Sequence, residues 1–187
     1  MKTVILFFMM AYSLTLRAQD VFSNKTNMAL EKVIKDFPNR FHNIKGELIN
    51  QRTQVVEYKS TIQVPGSTYC VVTHHLASNN DSYSWSCIAF ENKDFNQARS
   101  KFKEIYEQIE NTIVKIEGEK PFIVSGQYRS PQEERKTTSI VFDLLPAVGE
   151  MKKLKIELTI QNTTANWKVA INVYDNNLKE EQATVAN

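Results

Sequence analysis

The segment Asp94 to Gly118 reads DFNQARSKFKEIYEQIENTIVKIEG and decides the fold class, because its apolar residues recur every three or four positions. This spacing lays them along one stripe of a helix, which needs an apolar surface to cover. Asp94 can cap the first turn, with Gln97 completing a capping box, and Gly118 can supply the left-handed residue that ends the helix. We therefore predict one helix over residues 94–118. Its stripe comprises Phe95, Ala98, Phe102, Ile105, Tyr106, Ile109, Ile113 and Ile116.

Strand patterns on both sides of this helix predict the sheet that it covers. Residues 53–64 alternate between apolar and polar, the turn dipeptide Pro65-Gly66 follows, and residues 68–76 and 83–90 flank a polar tip. These three strands form a predicted meander. Past the helix, the strand patterns cover residues 122–128, 138–145, 154–161 and 167–173.

A second helical region precedes the first predicted strand, since apolar residues between positions 30 and 44 keep the helical spacing. Pro38 breaks the pattern, so we expect a helix ending near Asp36, then a short helical piece through Ile44 that Gly46 closes. The predicted fold class is α+β, with about seven antiparallel strands and two main helices packed on one face, in the order α-βββ-α-ββββ. The halves share an order of elements without matching residues, so a duplication stays open. The order resembles that of secretion-chaperone folds.

The first residues have the pattern of a secretory signal peptide: Lys2, an apolar run of 13 residues from Val4 to Leu16, and then a cleavage site after Ala18. A membrane-spanning helix needs about 20 residues, so we expect no membrane anchor after removal of the leader. The Ala18-Gln19 junction resembles exported proteins of the Bacteroidota. We expect a signal peptide at 1–18, one domain at 19–175, a polar disordered tail at 176–187, and a periplasmic or extracellular location.

The charge of the mature chain argues against a nucleic-acid partner. The full chain has 23 Lys and Arg against 21 Asp and Glu, and Lys2 and Arg17 leave with the leader. The mature chain is then formally neutral, at 21 basic and 21 acidic residues. Nucleic-acid binding requires a clustered basic face.

Cys70 and Cys87 are predicted to form a disulfide. If the meander folds symmetrically about residues 78 and 79, Cys70 faces Cys87, and the same register sets Val72 opposite Trp85. Facing cysteines in an exported protein usually pair, whereas a catalytic thiol is disfavoured in an oxidising compartment.

The sequence contains none of the common catalytic or nucleotide-binding motifs, namely HExxH, GxSxG, GxGxxG or a phosphate-cradling glycine loop. His74 and His75 are adjacent on a predicted strand, so their side chains point to opposite faces and cannot easily share a metal ion. We expect no cofactor, no metal and no catalytic residue. A carboxylate pair for hydrolysis stays open, because no spacing selects one.

The predicted meander has two apolar faces. One face is expected to receive the helices, and it carries Val56, Tyr58, Ile62, Val64, Tyr69, Val71, Ile88 and Phe90. The opposite face is either covered within the domain or open as a contact site. The residues of this possible contact face are Val72, His74, Leu76, Tyr83 and Trp85.

Three functions are compatible with these features. The first is a non-catalytic exported domain that binds another protein, of unknown identity, or itself. The second is a carrier of a small apolar ligand between helices and sheet. The third is a hydrolase that uses carboxylates.

Overall fold

The structure is a computed structural model that describes residues 25–76, 81–110 and 112–176. It contains two α-helices, α1 (Lys25–Asp36) and α2 (Phe95–Glu110), and three short 3-10 helices at Phe37–Asn39, His42–Ile44 and Gly149–Lys153. The strands are β1 (Lys45–Arg52), β2 (Val55–Ser60), β3 (Tyr69–His75), β4 (Ser82–Asn92), β5 (Ile113–Val114), β6 (Phe122–Ser125), β7 (Thr137–Leu145), β8 (Leu154–Asn162) and β9 (Trp167–Asp175).

All nine strands form one antiparallel sheet in the order β1-β2-β3-β4-β9-β8-β7-β6-β5. Each half of the chain is a helix followed by a meander, and the last strands of the two meanders, β4 and β9, pair in the middle of the sheet. The α+β class with an antiparallel sheet and two helices is confirmed. The predicted count of seven strands is too low, because β1 and β5 were not predicted.

Helix α2 begins as predicted but ends eight residues earlier than Gly118. The Asp94 carboxylate accepts hydrogen bonds from the N–H groups of Asn96 (2.7 Å) and Gln97 (3.2 Å), which is the expected cap. The predicted capping box does not form, because the Gln97 side-chain oxygen accepts from the Asn92 amide (2.8 Å) and the Asp94 N–H donates to Asn92 Oδ1 (2.8 Å). After Glu110 the β-branched residues from Thr112 to Val114 favour extended backbone, and Ile113 and Val114 form β5 instead of a further helical turn. Gly118 has a φ of +80° and lies in the turn between β5 and β6.

Helix α1 ends at Asp36, as predicted, and the buried Asp36 carboxylate organises the chain that follows. It accepts hydrogen bonds from the Asn43 N–H (3.0 Å), the Asn43 side-chain amide (2.7 Å) and the Ile44 N–H (3.3 Å). Gly46 does not end a helix but lies in β1. A Cβ there would sit 2.9 Å from the Lys59 carbonyl oxygen, so the close approach of β2 requires glycine.

One hydrophobic core lies between the helices and one face of the sheet. Helix α2 lies against β4, β6, β8 and β9, and α1 lies beside α2 and against β5. The predicted inward residues of the last hairpin are all buried: Leu154, Ile156, Leu158, Ile160, Trp167, Val169, Ile171 and Val173.

The predicted β3–β4 register is confirmed, since Cys70 pairs with Cys87, Val72 with Trp85 and His74 with Tyr83. The disulfide between Cys70 and Cys87 is present, and both residues are buried in the core. No helix within the described ranges is long and apolar enough to cross a membrane. Residues 1–24 and 177–187, which include the predicted leader and nearly all of the predicted tail, lie outside the described residues. Asn176 donates its N–H to the Lys153 carbonyl (2.9 Å).

We predict that the unfolded, unreduced protein has no reactive thiol, because both cysteines are in the disulfide. The two cysteines are 17 residues apart, and closing a loop of that size stabilises a fold by about 3 kcal/mol. The double substitution Cys70→Ala and Cys87→Ala should lower the free energy of unfolding by about that amount. Thiol titration and urea unfolding measure the two effects. Two reactive thiols before reduction would contradict the prediction.

Candidate functional site

Two members of the predicted contact face, Val72 and Trp85, are in the core with no exposed surface. The indole N–H of Trp85 donates a hydrogen bond to the buried Ser60 hydroxyl at 2.9 Å. The prediction that Trp85 could be an open contact residue is therefore wrong, and the covered alternative is correct. The error lies in the assignment of faces between β2 and β3. Tyr58 was expected to share a face with Val71, whereas it pairs with Val72 in the structure. A shift of one residue exchanges the two faces of a strand.

The other three predicted contact residues lie at the far end of the same face. His74 and Tyr83 pair across β3 and β4, and their rings stack with centroids 4.2 Å apart. His74 Nε2 also lies 3.0 Å from Asp81 Oδ2. Burial, together with the Asp81 charge, raises the pKa of Tyr83. Leu76 follows β3 and is exposed. The predicted residues are thus divided between the core and a polar, partly exposed end of the sheet.

His75 points to the opposite face of the sheet from His74, as predicted, and its Nε2 lies 3.1 Å from the Ser84 hydroxyl. Burial and the neighbouring His74 lower the pKa of His75, against an opposing effect of the Glu57 charge. A neutral imidazole beside a hydroxyl is half of a nucleophilic site. Ser84, however, pairs with Thr73 on one side and Tyr174 on the other, so the surrounding backbone belongs to the sheet ladder. An oxyanion hole needs donors that are free to meet the developing charge, whereas the backbone groups around Ser84 are already used in pairing with the neighbouring strands.

The polar side chains on this second face hold one another. The Asn50 amide donates to the Glu57 carboxylate (3.1 Å), and the Ser86 hydroxyl donates to the Asn172 side-chain oxygen (2.7 Å). Asp143 accepts a hydrogen bond from Lys155. Among the described residues, no group of three or more His, Cys, Asp or Glu side chains could hold a metal ion. This band of paired polar groups is typical of a hydrated sheet surface.

The second face ends in a row of exposed aliphatic side chains at the β5 edge, which we call the aliphatic row. Ile113 pairs with Ile123, and Ile123 pairs with Leu145, so the three lie side by side across β5, β6 and β7. Their exposed fractions are 54%, 53% and 48%. The residues next to them in the chain, Val114, Phe122 and Leu144, point to the other face and are buried in the core. The row is an apolar cluster on the outside of a sheet whose other side is already covered.

Sequence analysis did not find the aliphatic row for two reasons. Ile113 has the helical spacing of the α2 stripe, and this spacing predicts burial. Ile123 and Leu145 lie in predicted strands, but their common register depends on the β6–β7 pairing, which the sequence does not define. Residues 122–125 and 140–145 contain consecutive apolar residues, so both faces of these strands carry them. This indicates that some of the apolar residues lie on the outer face, but not that they lie side by side.

Comparison with known proteins yields no relative for this chain: no family model, curated protein or solved structure matches it. The resemblance of the element order to secretion-chaperone folds therefore finds no support from a matching structure.

We predict that Trp85→Ala lowers the free energy of unfolding by about 3 to 5 kcal/mol, because it removes a fully buried large aromatic side chain. Tyr69→Ala on the neighbouring strand is the control, since Tyr69 is 43% exposed and its loss should cost about 0.5 kcal/mol or less. Urea unfolding of both variants measures the difference. Equal stability losses would contradict the placement of Trp85 in the core.

We also predict that His75 makes the fold less stable in mild acid. Its pKa in the fold lies below the ordinary value of 6.5, so the folded state favours the neutral ring. As pH falls below 6.5, protonation of the unfolded chain favours unfolding. The stability that depends on neutral His75 is therefore present above pH 6.5 and is lost as the pH falls through the lowered pKa.

His75→Gln should reduce this loss, because glutamine can hydrogen-bond with Ser84 but does not titrate. Urea unfolding at about pH 7.5 and at about pH 5.5 measures it, since these values lie on either side of the ordinary histidine pKa. His42→Gln is the control for the removal of a histidine, since His42 is exposed. If the free energy of unfolding of His75→Gln falls between the two pH values as much as that of wild type, another group is responsible.

Proposed function

We propose that this protein is an exported, non-catalytic α+β domain that acts by binding another protein or a second copy of itself through the aliphatic row. The observation that carries the proposal is the alignment of Ile113, Ile123 and Leu145 on one exposed face. Exposed aliphatic groups that lie together mark contact sites more often than scattered ones do. The disulfide supports export, because such bonds persist in oxidising compartments.

The packing of the core favours this role over that of a carrier for a small apolar ligand. The space between helices and sheet is occupied by large side chains with almost no exposed surface, among them Trp85, Phe102, Phe122 and Phe142. A carrier needs a cavity in that space. The apolar surface that is accessible to a partner is on the outside of the sheet.

Two glutamates of the open sheet face, Glu57 and Glu157, are too far apart to act together in a hydrolase. Glu57 on β2 and the buried Glu157 on β8 share this face, but β3, β4 and β9 lie between them. At about 4.8 Å for each of four strand steps, they are roughly 19 Å apart. Glycosidases place their two carboxylates about 5 to 9.5 Å apart.

Ile123→Glu tests the proposed contact site, because Ile123 is the middle member of the aliphatic row. A charge there would have to be desolvated on association, so we expect the association constant to fall at least about tenfold. The fold should be preserved, since the Ile123 side chain is 53% exposed. Leu48→Glu on the opposite edge of the sheet is the control, as Leu48 is 55% exposed and lies outside the row.

The measurement is native mass spectrometry of the protein purified from its own host, with unfolding curves to establish that each variant is folded. A second chain bound to wild type and to Leu48→Glu, and lost from Ile123→Glu, is the expected result. A second chain that survives in Ile123→Glu, or its absence from wild type, would contradict the proposal. A retained lipid in place of a second chain would favour the carrier.

A further inference from the structure

We propose that a second copy of this chain joins the sheet at the edge where the aliphatic row ends, paired edge to edge and antiparallel through β5, with Ile113 of each copy opposite Ile113 of the other. The inference rests on the proposed function and names its partner. Four observations carry it: the direction of the Ile113 backbone groups, the self-complementarity of the row, the charges beside β5, and the contrast with the other edge of the sheet.

The β5 edge has backbone groups directed outward at Ile113. The Val124 N–H donates to the Thr112 carbonyl at 3.1 Å, so Thr112 and Val124 occupy a hydrogen-bonded position of the β5–β6 ladder. Hydrogen-bonded and non-hydrogen-bonded pairs alternate in an antiparallel ladder, which makes Ile113 and Ile123 the non-hydrogen-bonded pair. The N–H and C=O of Ile113 therefore point away from β6. Because β5 is the last strand of the sheet, they point out of the domain.

A strand added at this edge would form a hydrogen-bonded pair with Ile113. If that strand is β5 of a second copy, a two-fold axis between the two Ile113 residues satisfies both N–H groups and both C=O groups at once. Directly opposed residues share a face of the sheet. The three-residue aliphatic row then continues across the axis into the row of the second copy, as six aliphatic side chains in register.

The charges near β5 suit this arrangement. The residues at the axis, Thr112, Ile113 and Val114, are uncharged. Antiparallel pairing about Ile113 directs Lys115 of each copy toward the end of α2 of the other copy, which carries Glu110. Glu110 is exposed and ends α2, where the helix dipole is also negative. The nearest charges on the two copies are therefore of opposite sign.

The other edge strand, β1, has the features that prevent such pairing. It carries Lys45, Glu47 and Arg52, and its pairing with β2 is interrupted by two register shifts. Charged side chains and bulges are the usual means by which proteins block an edge strand. The uncharged β5 edge lacks them, so it is the edge through which two copies would join.

Oxidative cross-linking tests the register. Ile113→Cys places two thiols at a hydrogen-bonded pair with Cα atoms about 5.5 Å apart, within the range of a disulfide. Lys115→Cys, at an exposed position just past β5, is the matched control, because its two copies would be about 14 Å apart in this register. We expect mild oxidation with diamide to give covalent dimers of Ile113→Cys and to leave Lys115→Cys monomeric, with the Cys70–Cys87 bond intact in both.

A charge pair at the axis gives a second test that does not need a disulfide. Ile113→Lys and Ile113→Glu should each be monomeric in sedimentation experiments, since like charges meet across the axis. Mixing the two variants should restore dimers that contain one chain of each. Failure of the mixture to associate while wild type dimerises would overturn the register, and so would cross-linking of Lys115→Cys instead of Ile113→Cys.

Failure of this inference can be told apart from failure of the proposed function. Suppose that Ile113→Cys does not cross-link and that wild type binds a chain of a different mass, which Ile123→Glu loses. The row then binds another protein, and the inference is wrong. If Ile123→Glu loses nothing that wild type binds, the proposed function is wrong, and cross-linking of Ile113→Cys then decides the β5 pairing by itself.

Discussion

The pairing of β4 with β9 is the interaction on which the rest of the structure depends, because it joins two meanders into one sheet. On the core side, the pair brings Trp85 opposite Val173 and Cys87 opposite Ile171. On the open side, Glu91 and Lys168 form an ion pair at 2.9 Å. The Cys70–Cys87 bond then ties β3 to this central pair. The two helices can cover one common core only because the meanders meet in the middle of the sheet.

The sequence was most informative where one periodicity fits and least where two fit. In β8 and β9 apolar residues occupy every inward position, and all of these positions were predicted. Between Ile109 and Ile116 the apolar residues fit a helical stripe, yet the chain leaves the helix after Glu110. The β-branched residues that follow favour extended structure, and the backbone pairing with β6 then determines the outcome. Periodicity alone does not contain that long-range pairing, so the aliphatic row could not be predicted.

The assignment of faces shows a second limit. Val71 and Val72 are adjacent in β3 and both are buried, so either could belong to the core face. The β3–β4 register was predictable from the cysteines and the loop between them, whereas the β2–β3 register depends on the turn after Ser60. There the Ser60 hydroxyl donates to the Ile62 carbonyl and also accepts from the Trp85 indole. That local arrangement sets which face meets the helices, and it has no distinctive sequence pattern.

The apolar energy of the aliphatic row can be compared with the cost of association. Complete burial of the exposed half of the three aliphatic side chains would be worth about 3 kcal/mol for each copy, or about 6 kcal/mol for a pair. Edge-to-edge pairing reaches only part of this, because Ile123 and Leu145 lie one and two strands in from the β5 edge. Association of two molecules costs about 4 to 15 kcal/mol in lost translational and rotational freedom. Apolar contact alone therefore leaves little surplus. In the proposed dimer, the outward backbone groups of Ile113 would add hydrogen bonds in the same register that aligns the two rows. Because β5 is only two residues long, few such bonds can form, and other strands find little to pair with at this edge.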